Sequence, residues 1–396
     1  MKILLLARPD HSTFLYEGLR NNPEIDIKYH TFSAFKKNSW LNKWKSSVKS
    51  VDKEVEISYA FTFFHRMLYE CQKNFKFDYY GFENQISEYF FNQILQKYDS
   101  EVSIIHYWSI YCHQSIRDFQ QRNSQIKLLA DVYAAHPDYV REILEPEYEK
   151  HGLSVVKSHF IKSRDRDLAS LEGVKNMIVP SEYMAGIYRK YYPNAKIFTA
   201  SYGLLDYNKK PSESIQRAFN QPLKLVFVGK ISIEKGCIYL LEALRKLPQK
   251  EFQLDLIGEI ETSQFDIFKT YFKLPNVRFL GKLPKLKILE LLPNYHTFAL
   301  PSLTDAYSLA VAEALGHNLP VIISENVGIE EDVRKFETGK VCIIRDSNAI
   351  IEAILSLQNE EYRQFLTTNI TNFIVDNKQN SYSSKVLRVY NQLLTN

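Results

Sequence analysis

Glycine is scarce in this sequence, and the marks of a secreted or membrane-spanning chain are missing. Only 13 of the 396 residues are glycine, so we expect each one where the backbone needs it. The four cysteines, Cys71, Cys112, Cys237 and Cys342, form no C-x-x-C pair, which indicates buried free thiols in a reducing compartment. No apolar run approaches the ~20 residues of a membrane span.

Charge is nearly balanced overall but uneven along the chain. The net charge of +4 is too small to predict nucleic-acid binding, whereas residues 1–50 hold nine Lys and Arg against four Asp and Glu. Residues 1–7 resemble the start of a signal peptide, but the apolar run is short and Arg8, Pro9 and Asp10 follow it where a cleavage region would stand. We therefore predict a buried first strand and a cytoplasmic protein.

Short apolar runs alternate with helical patterns along most of the chain, which predicts α/β domains with parallel sheets. A polar stretch at residues 208–214 is the best candidate linker, and it separates two halves of similar size. Two such halves place a ligand cleft at the carboxyl ends of their strands. The strands predicted are 2–7, 26–32, 102–106, 127–132, 176–179 and 196–200, then 223–228, 253–257, 277–280, 297–300, 320–323 and 341–344.

The loop that follows strand 223–228 has the composition of an anion site. Gly229 lets the backbone turn, Lys230 and Lys235 follow, and a helix is predicted from about Ile238. Backbone N–H groups and the helix dipole favour an anion at such a helix start. The loop is either a diphosphate site or a surface loop with two solvated lysines.

A second loop, residues 301–308, precedes a helix that we predict from Ser308 to a capping Gly316, with Pro320 opening the next strand. Glu313 lies on the second turn of this helix, beside its apolar face. A carboxylate in that position needs a polar partner, and a sugar diol is a suitable one. The residues expected in the core are Leu309, Ala312 and Leu315.

Residues 301–316 resemble the E-x7-E region of retaining family 4 glycosyltransferases of the GT-B fold, with Asp305 and Glu313 at the acidic positions. The lysine loop resembles their G-R-x-x-x-x-K-G element, with Lys230 in the arginine position. Residues 181–184, 202–206 and 277–281 are similar to their S-x-x-M, N-G-V-D and V-x-F-x-G elements. The resemblance implies two Rossmann-like domains, residues 1–208 for the acceptor and 209–375 for the nucleotide sugar, with a helix in 376–396 returning to the first domain.

The resemblance also implies roles for individual residues. Lys230 and Lys235 would neutralise the leaving diphosphate, and Glu313 would hold the ribose hydroxyls. Asp305 stands where the family has Glu and is one methylene shorter, which puts its contact with the donor sugar in doubt. The other residues implied in donor binding are Gly229, the backbone of Phe279, Leu280 and Gly281, and the amides of Tyr307, Ser308 and Leu309.

In the N-terminal half, the sequence contains two histidines of interest and an unusual loop after the first strand. His136 is implied as a catalytic residue near the donor sugar, although it also fits a turn histidine capped by Pro137. His106 resembles a family strand end and is expected to be structural. Where relatives often carry a Gly-Gly loop after the first strand, this chain has residues 8–12, Arg-Pro-Asp-His-Ser, so the acceptor side is expected to be built differently.

No metal site is predicted. Asp165 and Asp167 spell D-x-D, the metal-binding pair of another glycosyltransferase fold, but they stand in a basic, helical pattern. We interpret them as a solvated helix face.

Residues 35–49 are basic and aromatic. As a helix they would place Trp40, Leu41, Trp44 and Val48 on one face with lysines around it. This pattern fits a segment lying in an anionic lipid headgroup layer, which would make the protein peripheral to the membrane. It fits equally an ordinary core-facing helix with solvated lysines.

The predicted function is a retaining, metal-independent hexosyltransferase that moves a sugar from a nucleotide-diphosphate sugar to a glycan or lipid-linked acceptor, in surface polysaccharide or glycolipid synthesis. The nucleotide sugar is a substrate, and no cofactor is expected. By the resemblance, the departing phosphate would take the acceptor proton. The alternatives are a nucleotide-sugar epimerase of similar fold and a non-catalytic homologue that binds sugar nucleotides. A nicotinamide dehydrogenase is disfavoured because neither half has the glycine fingerprint.

Overall fold

Two parallel sheets dominate the computed structural model, which describes residues 1–7, 11–31, 34–36, 49–51, 55–57, 79–98, 102–108, 113–154, 165, 167–204 and 222–395. A seven-stranded sheet is formed before residue 200 and a six-stranded sheet after residue 222. The predicted α/β class is therefore confirmed.

The N-terminal sheet has the strand order β5-β2-β1-β6-β7-β8-β9. Its first strand pairs with β2 on one side and β6 on the other. Residues 3–6 of that strand are almost fully buried, as expected for a parallel sheet covered on both faces. The strands are β1 Lys2–Leu6, β2 Asp26–Thr31, β5 Glu56–Ile57, β6 Ile104–Trp108, β7 Lys127–Asp131, β8 Asn176–Val179 and β9 Lys196–Thr199, and the small pair β3 Ala34–Lys36 and β4 Lys49–Val51 stands apart.

The C-terminal sheet has the order β12-β11-β10-β13-β14-β15, so the strand order reverses between β10 and β13. All six predicted strands are present; β11 and β12 are each one residue longer than predicted, and β14 and β15 are displaced. Strand β14 begins after Pro320, which has no N–H to give to a ladder, and β15 begins two residues earlier than predicted. The strands are β10 Leu223–Val228, β11 Phe252–Ile257, β12 Val277–Gly281, β13 Thr297–Leu300, β14 Val321–Ser324 and β15 Gly339–Cys342.

Helices cover both sheets. They are α1 His11–Leu19, α2 Tyr79–Gln96, α3 His113–Arg122, α4 Pro137–Lys150, α5 Glu182–Tyr191, α6 Cys237–Lys246, α7 Phe265–Phe268, α8 Lys285–Leu291, α9 Leu309–Gly316, α10 Glu330–Lys335, α11 Ser347–Ser356, α12 Glu360–Gln379 and α13 Tyr382–Thr395. Three-residue 3₁₀ helices add Thr262–Gln264, Lys269–Tyr271 and Leu292–Asn294. In the part of the chain that is described, no helix is both long and apolar enough to cross a membrane.

The last helix, α13, lies against the N-terminal half. The hydroxyl of Tyr390 is 2.7 Å from Nδ1 of His106, and Nζ of Lys385 donates to Oγ of Ser201 at 2.7 Å. These contacts agree with the expected return of the chain end. The linker expected at 208–214 lies outside the described residues, so the domain boundaries stay predictions.

Neither end of the basic segment 35–49 is helical. Its ends belong to strands β3 and β4, which pair in parallel. The residues between them, including Trp40, Leu41, Trp44 and Val48, lie outside the described residues, as do Cys71 and Cys112. Cys237 and Cys342 are buried free thiols, as predicted.

Candidate active site

The loops after β10 and β13 meet at the point where the strand order of the C-terminal sheet reverses, which is where open parallel sheets bind ligands. Gly236 ends the first loop in the left-handed region, with φ of 68°. A Cβ on it would stand 1.7 Å from the carbonyl oxygen of Pro301. The N–H of Leu303 donates to the carbonyl of Glu234 at 2.8 Å. The two predicted loops therefore form one surface.

Lys235 and Asp305 join these loops by an ion pair, Nζ to Oδ2 at 2.8 Å. Their side chains are 24% and 16% exposed. Burial alone would lower the pKa of Lys235, but the carboxylates of Asp305 and Glu234 outweigh it and raise that pKa. Lys235 is thus a fixed cation on the cleft side of the sheet, and the two residues singled out from sequence are brought together.

Lys230 lies at the start of the same loop, after Gly229, whose N–H donates to Ile257 at 3.0 Å. Its ammonium pairs with Glu261, and its side chain is 57% exposed. Burial raises the pKa of Glu234, and the two lysines oppose that shift. Each lysine of the loop is therefore held by a carboxylate, Lys230 by Glu261 and Lys235 by Asp305.

Ser308 takes a strained conformation in front of α9. Its φ of 72° and ψ of 85° are unusual for a residue with a side chain, and that side chain makes no capping hydrogen bond. Such outliers cost on the order of 1–3 kcal/mol and cluster at functional sites. The first N–H groups of α9 are therefore not capped by Ser308, as an anion-binding helix start requires.

Two details of α9 differ from prediction. Leu309 is 43% exposed, whereas Ala312 and Leu315 are buried as expected. Gly316 is the last helical residue and not the cap; His317 caps the helix, and Asn318 provides the left-handed turn with φ of 56°. The amide of Tyr307 donates to Oδ1 of Asp305 at 3.4 Å.

Glu313 faces the same surface from the second turn of α9. Its carboxylate pairs with the ammonium of Lys285, the first residue of α8, and about a third of its side chain is exposed. Lys285 supplies the polar partner that the sequence required for Glu313. No local sequence pattern indicated this partner, because the pair forms only when the helices after β12 and β13 come together.

Phe279, Leu280 and Gly281 end strand β12, two strands from the lysine loop. The N–H of Gly258 donates to the carbonyl of Gly281 at 2.9 Å, and the Phe279 ring packs against Phe272 with centroids 4.7 Å apart. The backbone predicted to read the base therefore lies at the same edge of the sheet as Gly229.

His136 lies in the N-terminal half. It is the N-cap of α4, where Nδ1 accepts from the N–H of Asp138 at 3.3 Å. The residue is 3% exposed, and its ring stacks on Tyr191 with centroids 3.8 Å apart. This geometry fits the alternative interpretation, a turn histidine, and the catalytic role that the resemblance implies stays a prediction.

The N-terminal half contacts the second loop directly. The hydroxyl of Ser181 donates to the carbonyl of Ala306 at 2.8 Å, and that of Tyr183 donates to Thr304 at 3.1 Å. The N–H of Gly203 donates to the hydroxyl of Tyr307 at 2.8 Å. Residues of both halves thus fix the loop that carries Asp305.

Among the described residues, no group of three or more His, Cys, Asp and Glu could hold a metal ion. Residues 165 and 167–170 are helical, and Asp165 is exposed. Both observations fit the interpretation of the D-x-D sequence as a helix face.

The geometry of the two loops agrees with comparisons to known proteins. Residues 208–373 match the family model of glycosyl transferases group 1. This part of the chain, less than half of its length, is therefore similar to group 1 glycosyl transferases. It contains the lysine loop, the second loop and Glu313.

Curated relatives match part of the chain. The amylovoran biosynthesis glycosyltransferase AmsK of Erwinia amylovora is 25% identical over 223 residues, 53% of this chain and 54% of the relative. The capsular polysaccharide biosynthesis glycosyltransferase CapM of Staphylococcus aureus is 26% identical over 159 residues, 39% of this chain and 41% of the relative. The match with AmsK thus spans about half of that protein's length, and the match with CapM spans less.

Solved structures match the whole chain. Sucrose-phosphate synthase of Thermosynechococcus elongatus has a TM-score of 0.64 at 16% identity, covering 100% of this chain and 99% of its own. HepE of Anabaena, solved with UDP and glucose, has a TM-score of 0.59 at 15% identity with full coverage of both chains. The two-domain fold is the GT-B fold of glycosyltransferases, as predicted.

Proposed function

We propose that the protein is a hexosyltransferase that moves a sugar from a nucleotide-diphosphate sugar to a glycan or lipid-linked acceptor, in surface polysaccharide or glycolipid synthesis. The observation that carries the proposal is the joined pair of loops at the switch point of the C-terminal sheet. There the ammonium groups of Lys235 and Lys230 and the start of α9 lie in front of parallel strand ends, where they would face a diphosphate.

This arrangement suits departure of a nucleoside diphosphate. Negative charge grows on the leaving phosphates, and cations that are already fixed in place stabilise it without reorganisation. The ion pair with Asp305 holds Lys235 in place before any donor arrives. Because two lysines and a helix start supply the charge, the proposal includes no metal ion and no cofactor.

Glu313 and the end of β12 would hold the nucleoside. A ribose diol can donate to a carboxylate, so it would share or replace the contact between Glu313 and Lys285. The backbone of residues 279–281 lies along the same edge and would face the base. Uracil is the base we expect first, since HepE of similar fold was solved with UDP and glucose.

The proposal has two further parts. The anomeric configuration is retained, and the acceptor is a glycan or a glycolipid. Retention is what the resemblance to family 4 enzymes implies, and the ¹H NMR spectrum of the product tests it. The acceptor class is supported by AmsK and CapM, whose names describe polysaccharide synthesis.

A thermal-shift screen against UDP-, GDP- and ADP-sugars tests the donor site. A ligand at 100 times its dissociation constant stabilises the protein by about 2.7 kcal/mol. The Lys235→Met variant should lose most of the shift, whereas Lys246→Met, at the far end of α6, should keep it. A screen in which no sugar nucleotide stabilises the wild type contradicts the proposal.

Incubation with the donor alone separates the remaining possibilities. Conversion of the donor into an epimer without release of nucleotide would indicate an epimerase. Binding without hydrolysis, epimerisation or transfer to any acceptor would indicate a non-catalytic homologue.

A further inference from the structure

Helix α4 follows a strand of the N-terminal sheet, β7, and contacts the C-terminal half with its last turns. Oε1 of Glu147 accepts from Nε of Arg345 at 2.7 Å, and Oε2 accepts from the hydroxyl of Tyr239 on α6. The guanidinium of Arg345 also donates to the carbonyl of Ile143, one turn earlier in α4. Two separate segments of the C-terminal half therefore hold the same helix.

The burial of Glu147 makes this contact costly to break. The residue is 3% exposed, and a buried carboxylate is unfavourable unless a cation and hydrogen-bond donors satisfy it. Arg345 reaches it from a left-handed backbone conformation, with φ of 64°. That conformation is uncommon for a residue other than glycine and persists only where the surrounding contacts hold it. If the two halves separated, the carboxylate would lose both Arg345 and Tyr239.

Gln264 joins the next residue of α4 to the donor site. It is the last residue of a 3₁₀ helix and is 1% exposed. Its Oε1 accepts from the N–H of Ile233 at 2.8 Å, and its Nε2 donates to the hydroxyl of Tyr148 at 3.2 Å. Because a backbone N–H can only donate, the carbonyl side of the amide must face Ile233 and the NH₂ side Tyr148. One buried side chain therefore links the N-terminal half to the lysine loop, residues 229–236.

Ile233 sets the position of Lys235 within the lysine loop. The carbonyl of Ile233 accepts from the N–H of Gly236 at 2.8 Å, which closes a turn of four residues with Lys235 at the third. In the same turn, the carbonyl of Glu234 accepts from the N–H of Leu303 at 2.8 Å and so holds the second loop. A shift of Ile233 would therefore move the Lys235 ammonium, and the second loop with it.

The short segment that ends at Gln264 also holds the other lysine of the loop. The N–H of Gln264 donates to the carbonyl of Glu261 at 2.8 Å, and the N–H of Glu261 donates to the carbonyl of Ile231 at 2.9 Å. The carboxylate of Glu261 pairs with Lys230. Residues 261–264 therefore hold the lysine loop beside both of its lysines.

We infer that α4 couples the two halves: Gln264 positions the lysine loop, and the contact of Glu147 with the C-terminal half holds α4 where Gln264 reaches Tyr148. This coupling rests on the proposed function, because the position of the lysines matters only if they face a diphosphate. Since coupling between two sites is reciprocal, binding of a diphosphate and docking of α4 would each favour the other. The donor site would then be complete only when the two halves are in contact.

The coupling predicts that a change in the N-terminal half weakens binding of a nucleoside diphosphate to the C-terminal half. Tyr148→Phe keeps the ring and removes only the hydroxyl that Gln264 contacts. The probe is UDP, GDP or ADP, whichever matches the sugar nucleotide selected by the thermal-shift screen, and binding to the full chain is measured by calorimetry well below Tm. The dissociation constant should rise about fivefold or more, the lower end of the usual coupling between two sites.

Arg345→Met tests the docking contact in the same assay and should raise the dissociation constant by a similar factor. Because this variant leaves the buried carboxylate without its cation, it should also lower Tm. Adding Glu147→Gln removes that charge, so part of the lost Tm should return while the affinity stays low. This combination separates an effect on stability from an effect on the lysine loop.

Two matched controls change similar contacts that do not join the halves. Arg141→Met breaks an ion pair with Glu145 within α4, Nη2 to Oε1 at 3.1 Å. Tyr188→Phe removes a hydroxyl that donates to the carbonyl of Ala134 at 2.9 Å, within the N-terminal half. Both controls should keep the dissociation constant within about twofold of the wild-type value.

A double-mutant cycle shows whether Tyr148 acts through the position of a lysine. In kcat/KM for the sugar nucleotide, the loss caused by Tyr148→Phe should shrink from about fivefold to less than about twofold in a Lys235→Ala background, since residues that act as one unit are not additive. A residue that only stabilises the fold would cause the same loss in both backgrounds, and that result would overturn the coupling.

The binding data can also overturn the coupling by themselves. If the wild type binds the diphosphate and either Tyr148→Phe or Arg345→Met keeps the wild-type dissociation constant, the coupling is wrong and the proposed function stands. Equal losses in the two controls would mean that α4 contributes only to folding, which overturns the coupling as well. A wild type that binds no nucleoside diphosphate overturns the proposed function first, and the coupling with it.

Discussion

Replacing Lys235 with Ala removes the cation that joins the two loops of the donor site. In the free protein Lys235 lies 2.8 Å from Asp305, so the substitution has two separable effects. One is on the reaction, since the leaving diphosphate loses a charge that was already in place. The other is on stability, since a mostly buried carboxylate loses its cation.

The kinetic effect should be large. Removing one preorganised contact to developing charge typically costs about 10²–10³-fold in kcat, or about 2.7–4 kcal/mol. The effect on stability should be smaller. A mostly buried carboxylate left, among the described residues, with only the amide of Tyr307 costs about 1–3 kcal/mol, and each kcal/mol shifts Tm by roughly 2–4 °C in a domain of this size.

A double substitution separates the two effects. Adding Asp305→Asn to Lys235→Ala removes the unpaired carboxylate, so part of the lost Tm should return while kcat stays low. Lys246→Ala is the control, because Lys246 contacts only Ser347 and Asn348 on the surface among described residues. The assays are nucleotide release at saturating donor and thermal melting without donor. Near-normal kcat in Lys235→Ala would remove this lysine from the mechanism.

Two further predictions follow from charge. Activity should survive EDTA, because lysines and a helix start supply the positive potential; full loss with EDTA and recovery with Mn²⁺ would instead point to Asp165 and Asp167. Residues 1–50 carry nine basic against four acidic side chains, a charge of +5, so the protein should co-sediment with anionic liposomes, less so as salt shortens the Debye length below ~8 Å. Binding should fall when Lys36, Lys37, Lys43 and Lys45 are replaced by Gln. A wild-type protein that does not bind anionic liposomes at low salt would refute the membrane hypothesis.

The strands and the donor loops were predictable because their signals are local. Buried parallel strands are continuous apolar runs, and Lys235 and Asp305 each stand in a short loop between a strand and a helix. Leu309 was assigned wrongly because helical periodicity treats the first turn like the others. The partner of Glu313 was missed because Lys285 is 28 positions away and meets it only across two helices.

The cluster formed by the buried His11 with Trp108, Asp131, Tyr202 and Tyr382 shows the opposite case. Its five members come from α1, β6, β7, the segment after β9 and α13, so no window of sequence contains more than one of them. Sequence alone indicated only that the loop after β1 departs from the glycine-rich loop of similar enzymes. The fold is what places the imidazole beside a buried carboxylate at the carboxyl ends of three neighbouring strands.

The contacts between the halves explain why some elements of the N-terminal half resemble the family although they hold no donor group. Ser181 and Gly203 both bond to the loop between Thr304 and Tyr307, and Ser181 also caps α5 by accepting from Met184. The structure of that loop therefore restricts which residues can stand at positions 181 and 203. The donor loop is therefore positioned from both sides of the cleft, and the ring of Tyr202, next to Gly203, packs against Tyr307 of that loop with centroids 5.4 Å apart. A change in how the halves approach each other would therefore move the loop that carries Asp305.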